Sequence, residues 1–190
     1  MRKSHSSLLL HPSLRRVFSF AGAVALFSFV MTTSRSARAE PVLAGDVHGA
    51  FVVGDQRGPI KGGLGFDGRL GYRLSLIVLA LTPEIGAGYQ HLAGDDPLAE
   101  LSVTRVFAGA RLGFGAIIQP AIFAHVGYGW LSATNVDRSD HAPMVDGGLA
   151  IDLRLIPHIS PGVHASYNAL TTSPSSLHWV DLGAHVEIEF

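Results

Sequence analysis

The chain of 190 residues carries 22 glycines, ten prolines and no cysteine, and it is 47% hydrophobic but only 15% charged. That length suits one domain of ordinary size after removal of a targeting segment. Charge falls well below the roughly 25% of a typical soluble domain, glycine disfavours a helical bundle, and the missing cysteine excludes disulfide scaffolds, thiolate zinc sites and cysteine nucleophiles.

Residues 1–39 read as an export signal. Arg2, Lys3, Arg15 and Arg16 form a basic start, an apolar run covers Val17 to Met31, and a polar stretch ends in Ala37-Arg38-Ala39. Small residues in that pattern place the cleavage between Ala39 and Glu40. The apolar run is shorter than the roughly 20 residues a spanning helix needs. All six Lys/Arg of this segment leave with it, so residues 40–190 keep 8 Lys/Arg against 15 Asp/Glu, a formal charge of −7. A nucleic-acid partner needs a basic footprint, and none remains.

After Glu40 the pattern is alternation with period two, the signature of strands with one apolar and one polar face. Eight strands are predicted, at 43–53, 62–72, 76–91, 101–113, 118–131, 144–155, 158–168 and 179–190. The last is the clearest: Val180, Leu182, Ala184, Val186, Ile188 and Phe190 share one face, and Asp181, Gly183, His185, Glu187 and Glu189 the other. Longer connections at 54–61, 92–100, 132–143 and 169–178 alternate with tight turns at 73–75, 114–117 and 156–157. An even number of strands joined this way describes an all-β, eight-stranded antiparallel up-and-down barrel, one domain over 40–190. Pro83 and Pro161 fall inside strands, where a missing N–H costs a ladder bond and a bulge is expected.

A secreted barrel hides its apolar face, and a membrane barrel shows it to lipid. The aromatics decide. Phe51, Tyr89, Tyr128, Trp130 and Tyr167 lie toward the long-loop end of the apolar face, and Tyr72, Phe114 and Phe190 toward the short-turn end. Two girdles bracketing an aliphatic band fit two lipid–water interfaces, so the predicted fold is a transmembrane β-barrel.

The inward face then gathers Asp46, His48, Asp67, Arg69, Glu84, Arg105, Arg111, His125, Asp146, Asp152, Arg154, His158, His164, Asp181, His185 and Glu187. Buried charges persist when paired and hydrogen-bonded. An eight-stranded interior is one that side chains fill, which favours a plug of ion pairs built on Asp46, Arg69, Glu84, Arg105, Arg111, Asp152, Arg154 and Glu187. The alternative use of the same lining is a narrow, low-conductance pore. The midpoint of loop 54–61 places Asp46 opposite Arg69. Glycines 86, 88, 127 and 129 on this face read as space for larger neighbours.

The export signal, the eight strands and the terminal VDLGAHVEIEF resemble the small outer-membrane β-barrel domain family, the OmpA/OmpX-like barrels of Gram-negative bacteria. The resemblance covers about 40–190 and implies an outer-membrane location; a monomer in contact with outer-membrane lipids and lipopolysaccharide is the state expected there. It also implies insertion by the outer-membrane assembly machinery, with Phe190, Ile188 and Val186 matching the terminal signal that machinery reads.

Two chemical readings remain. Eight histidines lie beyond residue 39, but none shows the spacing of helical or finger zinc sites, so no metal or other cofactor is expected. His164-Ala165-Ser166 puts a histidine and a serine on one strand face with Asn168. This is loosely similar to the His-x-Ser-Asn pattern of PagL-type lipid A deacylases, with Tyr167 interrupting it and no acid at a matching offset. The reading is therefore a non-enzymatic barrel, with lipid A deacylation through His164 and Ser166 as the enzymatic alternative.

Overall fold

The computed structural model describes residues 38–54, 60–76, 78–94, 100–133, 139–172 and 176–190. Residues 1–37 of the signal expected over 1–39, and the tips of the four longer loops, lie outside the described residues. The strands are β1 (Arg38–Val53), β2 (Ile60–Leu76), β3 (Leu79–Gly94), β4 (Leu101–Phe114), β5 (Ile118–Ala133), β6 (Ser139–Leu153), β7 (Ile159–Thr171) and β8 (Ser176–Glu189). Each pairs antiparallel with the next, and β1 pairs with β8, closing the barrel. Closure leaves no unpaired edge along the strands, which is what a strand must achieve where water cannot satisfy the backbone.

The alternation sorts as expected. Large apolar side chains point outward, with Leu64 75% and Val126 65% exposed, and the two aromatic groups stand outward at opposite ends. So large an apolar surface is that of a barrel facing lipid rather than water. Strands run 13 to 17 residues, longer than the roughly 9–11 needed to cross the hydrocarbon region.

Several boundaries differ from the sequence reading. Arg73–Ser75 is not a turn: β2 continues to Leu76, and Arg38 to Glu40 pair with Ser75 to Arg73. Arg73 resembled turn chemistry because it is polar, but its polarity belongs to the inward face, where it is buried. The expected cleavage pair Ala39 and Glu40 lies inside β1. Likewise β6 begins at Ser139, so that the polar Ser139, Asp140 and His141, read as loop, extend the ladder, and β3 continues through Leu92, Ala93 and Gly94. The last short connection runs over 154–158, and His158, at φ 65°, sits exposed in it. It does not face the lumen, because β7 begins only at the next residue, Ile159.

The β1–β2 register also differs. Asp46 faces Asp67 and Arg69 faces Ala44, two residues from the predicted pairing. An even slip preserves which face each side chain takes, so only the partners change.

No bulge forms at Pro83 or Pro161. Pro83 pairs with Ala110 of β4, while the β2–β3 ladder skips from Gly71↔Glu84 to Leu74↔Leu81 without changing register. Pro161 pairs with Val186, and the β6–β7 ladder stops at Asp152↔Gly162. Pro41, Pro120 and Pro143 likewise sit where one flanking ladder has no pair. Each ring is placed where the donor it lacks is not used.

Candidate functional site

The inward side chains form two zones. At the long-loop end Val52, Leu92, Val103, Met144, Leu170 and Trp179 pack into an apolar cluster with Ala50, Ile60, Ala142 and Leu177. Trp179 is 0% exposed. Below this stopper the lumen is mainly polar down to the short turns, with Phe107 and Phe123 set among its charged side chains.

The polar zone is held in tiers. Nearest the stopper, Arg105 grips Asp67 with Nε donating at 2.9 Å and Nη2 to the second oxygen, a two-point geometry that guanidinium suits. Arg105 Nη1 donates to Asn168 Oδ1 at 2.8 Å, and Asn168 Nδ2 donates to Asp181 at 2.9 Å and to Ser166 Oγ at 3.1 Å. Trp179 Nε1 donates to the same Asp181 oxygen at 3.2 Å, tying stopper to network.

In the middle tier Arg69 joins Glu84 at 2.9 Å and Asp46 at 3.3 Å. His125 stands between Glu84 at 2.8 Å and Asp146 at 2.7 Å, both acceptors, an arrangement that an imidazolium with two N–H donors satisfies. Lower down, Arg111 Nη1 lies 3.1 Å from Asp152 Oδ1, and His185 Nε2 lies 2.7 Å from the same oxygen. At the turn end Arg73 holds Glu187 at 3.1 Å and Gln119, while Arg154 meets Glu189 at 2.5 Å.

The predicted residues thus fall into separate links. Asp46, Arg69 and Glu84 meet one another, as do Arg111 and Asp152, whereas Arg105, Arg154 and Glu187 find other partners. Sequence reasoning missed Arg73, Gln119 and Asn168 as members, and Glu189 as a partner. Arg73 and Glu189 carried a signal, since each continues the inward alternation of its strand. The stopper carried none, because apolar residues on the polar face simply weaken the alternation.

Small residues make the tiers possible. A Cβ at Gly88 would overlap the Asp67 carboxylate, and one at Gly65 the His48 ring. The larger side chains are accommodated where the opposite wall has none.

Among the described lumen residues, the carboxylates of Asp46, Asp67, Glu84, Asp146, Asp152, Asp181, Glu187 and Glu189 outnumber the guanidinium groups of Arg69, Arg73, Arg105, Arg111 and Arg154 by eight to five. An imidazolium at His125 makes up part of the difference, and a proton on a buried carboxylate is another way to close it.

His164 and Ser166 both face inward. Ser166 is 9% exposed and takes its hydrogen bond from Asn168, while His164 Nδ1 lies 3.4 Å from His185 Nδ1. The serine is directed at the network rather than at lipid.

No family profile and no curated protein matches the chain. Solved structures do. Neisserial surface protein A is similar over 80% of this chain and 99% of its own, at 14% identity and a TM-score of 0.58. The outer membrane protein OprG from Pseudomonas aeruginosa matches over 81% and 97%, at 11% identity and a TM-score of 0.53. The outer membrane enzyme PagL matches over 77% and 98%, at 18% identity and a TM-score of 0.50. At such identities the likeness is one of fold: this chain folds as a small eight-stranded barrel of the outer-membrane kind.

Proposed function

We propose that the protein is a monomeric, integral outer-membrane β-barrel with a structural or surface-interaction role and a closed lumen. In this reading residues 1–39 are removed after Ala39, both termini lie in the periplasm, and the four longer loops face outward among lipopolysaccharide. Assembly follows recognition of the terminal face, where Val186, Ile188 and Phe190 point outward. Phe190 is bound at the seam through its N–H to the Pro41 carbonyl at 3.1 Å.

The observation that carries the closed lumen is its filling, an apolar stopper above charged tiers whose members bond across the barrel. A conducting pore needs a continuous wet path, and side chains at this strand number leave little room for one. Single-channel recording in planar bilayers tests the point, with no resolved conductance steps expected. Discrete, reproducible steps would favour the narrow-pore reading instead.

The deacylase reading rests on residue types alone. A hydrolase of membrane lipid has to offer its nucleophile to the leaflet, and Ser166 does not. Lipid A from cells producing the wild type and Ser166→Ala is expected to be identical. A deacylated species that disappears in the variant would establish the enzyme.

A further inference from the structure

His48 and His164 stand two strands apart with Gly183 between them, in one row: His48 pairs with Gly183 on β8, and Gly183 with His164 on β7. The missing side chain lets the imidazoles approach, with ring centroids 6.2 Å apart. A Cβ at Gly183 would lie 2.7 Å from both His164 Cε1 and His48 Cβ. Asp46 completes the group: one ligand atom from each of Asp46, His48 and His164 lies within 4.8 Å of the others.

Three further observations converge there. Asp46 and His164, though not His48, line a polar cavity of about 30 Å³ that Arg69, Arg105 and Arg111 also border, room for an ion and a water by the 10–15 Å³ that one water occupies. His48 faces Asp46 Oδ1 through Nδ1 at 3.4 Å, and its Nε2 is buried without a hydrogen-bond partner, 3.9 Å from Asp181. Among the described lumen residues carboxylates outnumber guanidinium groups by eight to five even before His125 is counted, an excess of acid that a bound cation would help to offset.

We propose that Asp46, His48 and His164 bind one divalent transition-metal ion inside the barrel. Two imidazoles and a carboxylate select zinc, copper or nickel over calcium or magnesium, which prefer oxygen cages. His185 adds a donor beside His164. Its Nε2 donates to Asp152, leaving the Nδ1 lone pair facing His164 Nδ1 at 3.4 Å. Two donors on a tetrahedral ion at about 2.0–2.1 Å stand about 3.3–3.4 Å apart, and a carboxylate behind a ligating histidine is the usual outer partner. Asp46 Oδ2 is held by Arg69 at 3.3 Å, which leaves Oδ1 for the ion. Sequence spacing conceals such a site, because its ligands come from strands at opposite ends of the chain that only barrel closure makes neighbours.

The test uses the refolded barrel without a histidine tag, equilibrated with Zn²⁺ and desalted, with metal measured by mass spectrometry. One zinc per chain is expected, retained in His178→Gln on the outer face and lost in His164→Gln. Titration should show affinity falling at least about tenfold in Asp152→Asn, the loss typical of outer-partner changes. Co²⁺ added to the wild type should give the visible absorption of a tetrahedral nitrogen–oxygen site, a readout that stands even if His164→Gln does not fold. Substoichiometric zinc in the wild type, or full retention by a folded His164→Gln, overturns the proposal, as does loss of the ion in His178→Gln.

Discussion

Arg69 reaches Asp46 along a diagonal: its Nε lies 3.3 Å from Asp46 Oδ2, although the ladder sets Arg69 opposite Ala44 and Asp46 opposite Asp67. Diagonal neighbours across a sheet remain within reach of a long side chain, and Arg69 uses that reach to bridge Asp46 and Glu84. Removing it leaves two buried carboxylates short of a partner. Arg69→Ala is therefore expected to cost about 3–5 kcal/mol. The double change with Asp46→Ala should cost less than the sum of the singles, with a coupling of about 0.5–3 kcal/mol. Glu84 keeps His125, so it does not strand completely. Urea unfolding in detergent or lipid of the wild type, both singles and the double checks this, and strictly additive costs would show that the contact contributes nothing.

A second prediction separates inward from outward glycine. At Gly88 an added methyl meets the Asp67 carboxylate, whereas at Gly45 and Gly68 nothing lies within 4 Å. Gly88→Ala has to displace Asp67 and with it the two-point grip of Arg105. Overpacking of this kind costs about 1–3 kcal/mol, while Gly45→Ala and Gly68→Ala should stay within about 0.5 kcal/mol. The same unfolding assay reads both, and equal effects at all three positions would mean the network has slack.

The barrel was legible in the chain because one alternation runs through all eight strands, and its phase assigns each side chain to lipid or lumen. Phase survives an even error in register, so Asp46 and Arg69 were placed on the correct face while their partners were not. Partnership depends on how each loop closes, and loop 54–61 contains no residue pattern that sets its midpoint. Arg73 was lost to the opposite confusion, a polar residue near a chain reversal being equally consistent with turn and with lumen. The Asp46, His48 and His164 group was invisible for a third reason: the predicted barrel closes β1 against β8, but nothing local in a sequence sets the register that puts His48 and His164 in one row with Gly183. Trp179 was seen as a residue of the last strand, but its inward burial follows only from the shared loop-end position of Leu92, Leu170 and Met144.

A third prediction concerns assembly. Phe190 is 68% exposed beyond the end of β8, on the outward face it shares with Ile188 and Val186. Its backbone N–H, not its ring, makes the seam bond to Pro41. Phe190→Ala should thus leave the folded barrel nearly as stable in detergent, within about 0.5 kcal/mol, yet lower the amount inserted in cells. Heat-modifiable mobility of the outer-membrane fraction measures insertion. Unchanged levels would remove the proposed recognition of the terminal face.

The last prediction divides the closed lumen between its two zones. Trp179 fills the stopper, and Trp179→Ala should cost about 3–5 kcal/mol, as expected for emptying an aromatic site. Conductance is a different matter. Beneath Trp179 the tier of Asp67, Arg105, Asn168 and Asp181 joins β2, β4, β7 and β8, so it crosses the lumen independently of the stopper. Loss of the indole removes one donor to Asp181, whose Oδ2 keeps the Asn168 bond. The single variant should accordingly remain closed in planar bilayers, and Trp179→Ala combined with Arg105→Ala should show conductance steps. Arg105→Ala alone should stay closed, because the apolar cluster excludes water above it. If Trp179→Ala by itself conducts, the charged tiers are not a barrier, and closure belongs to the apolar cluster alone.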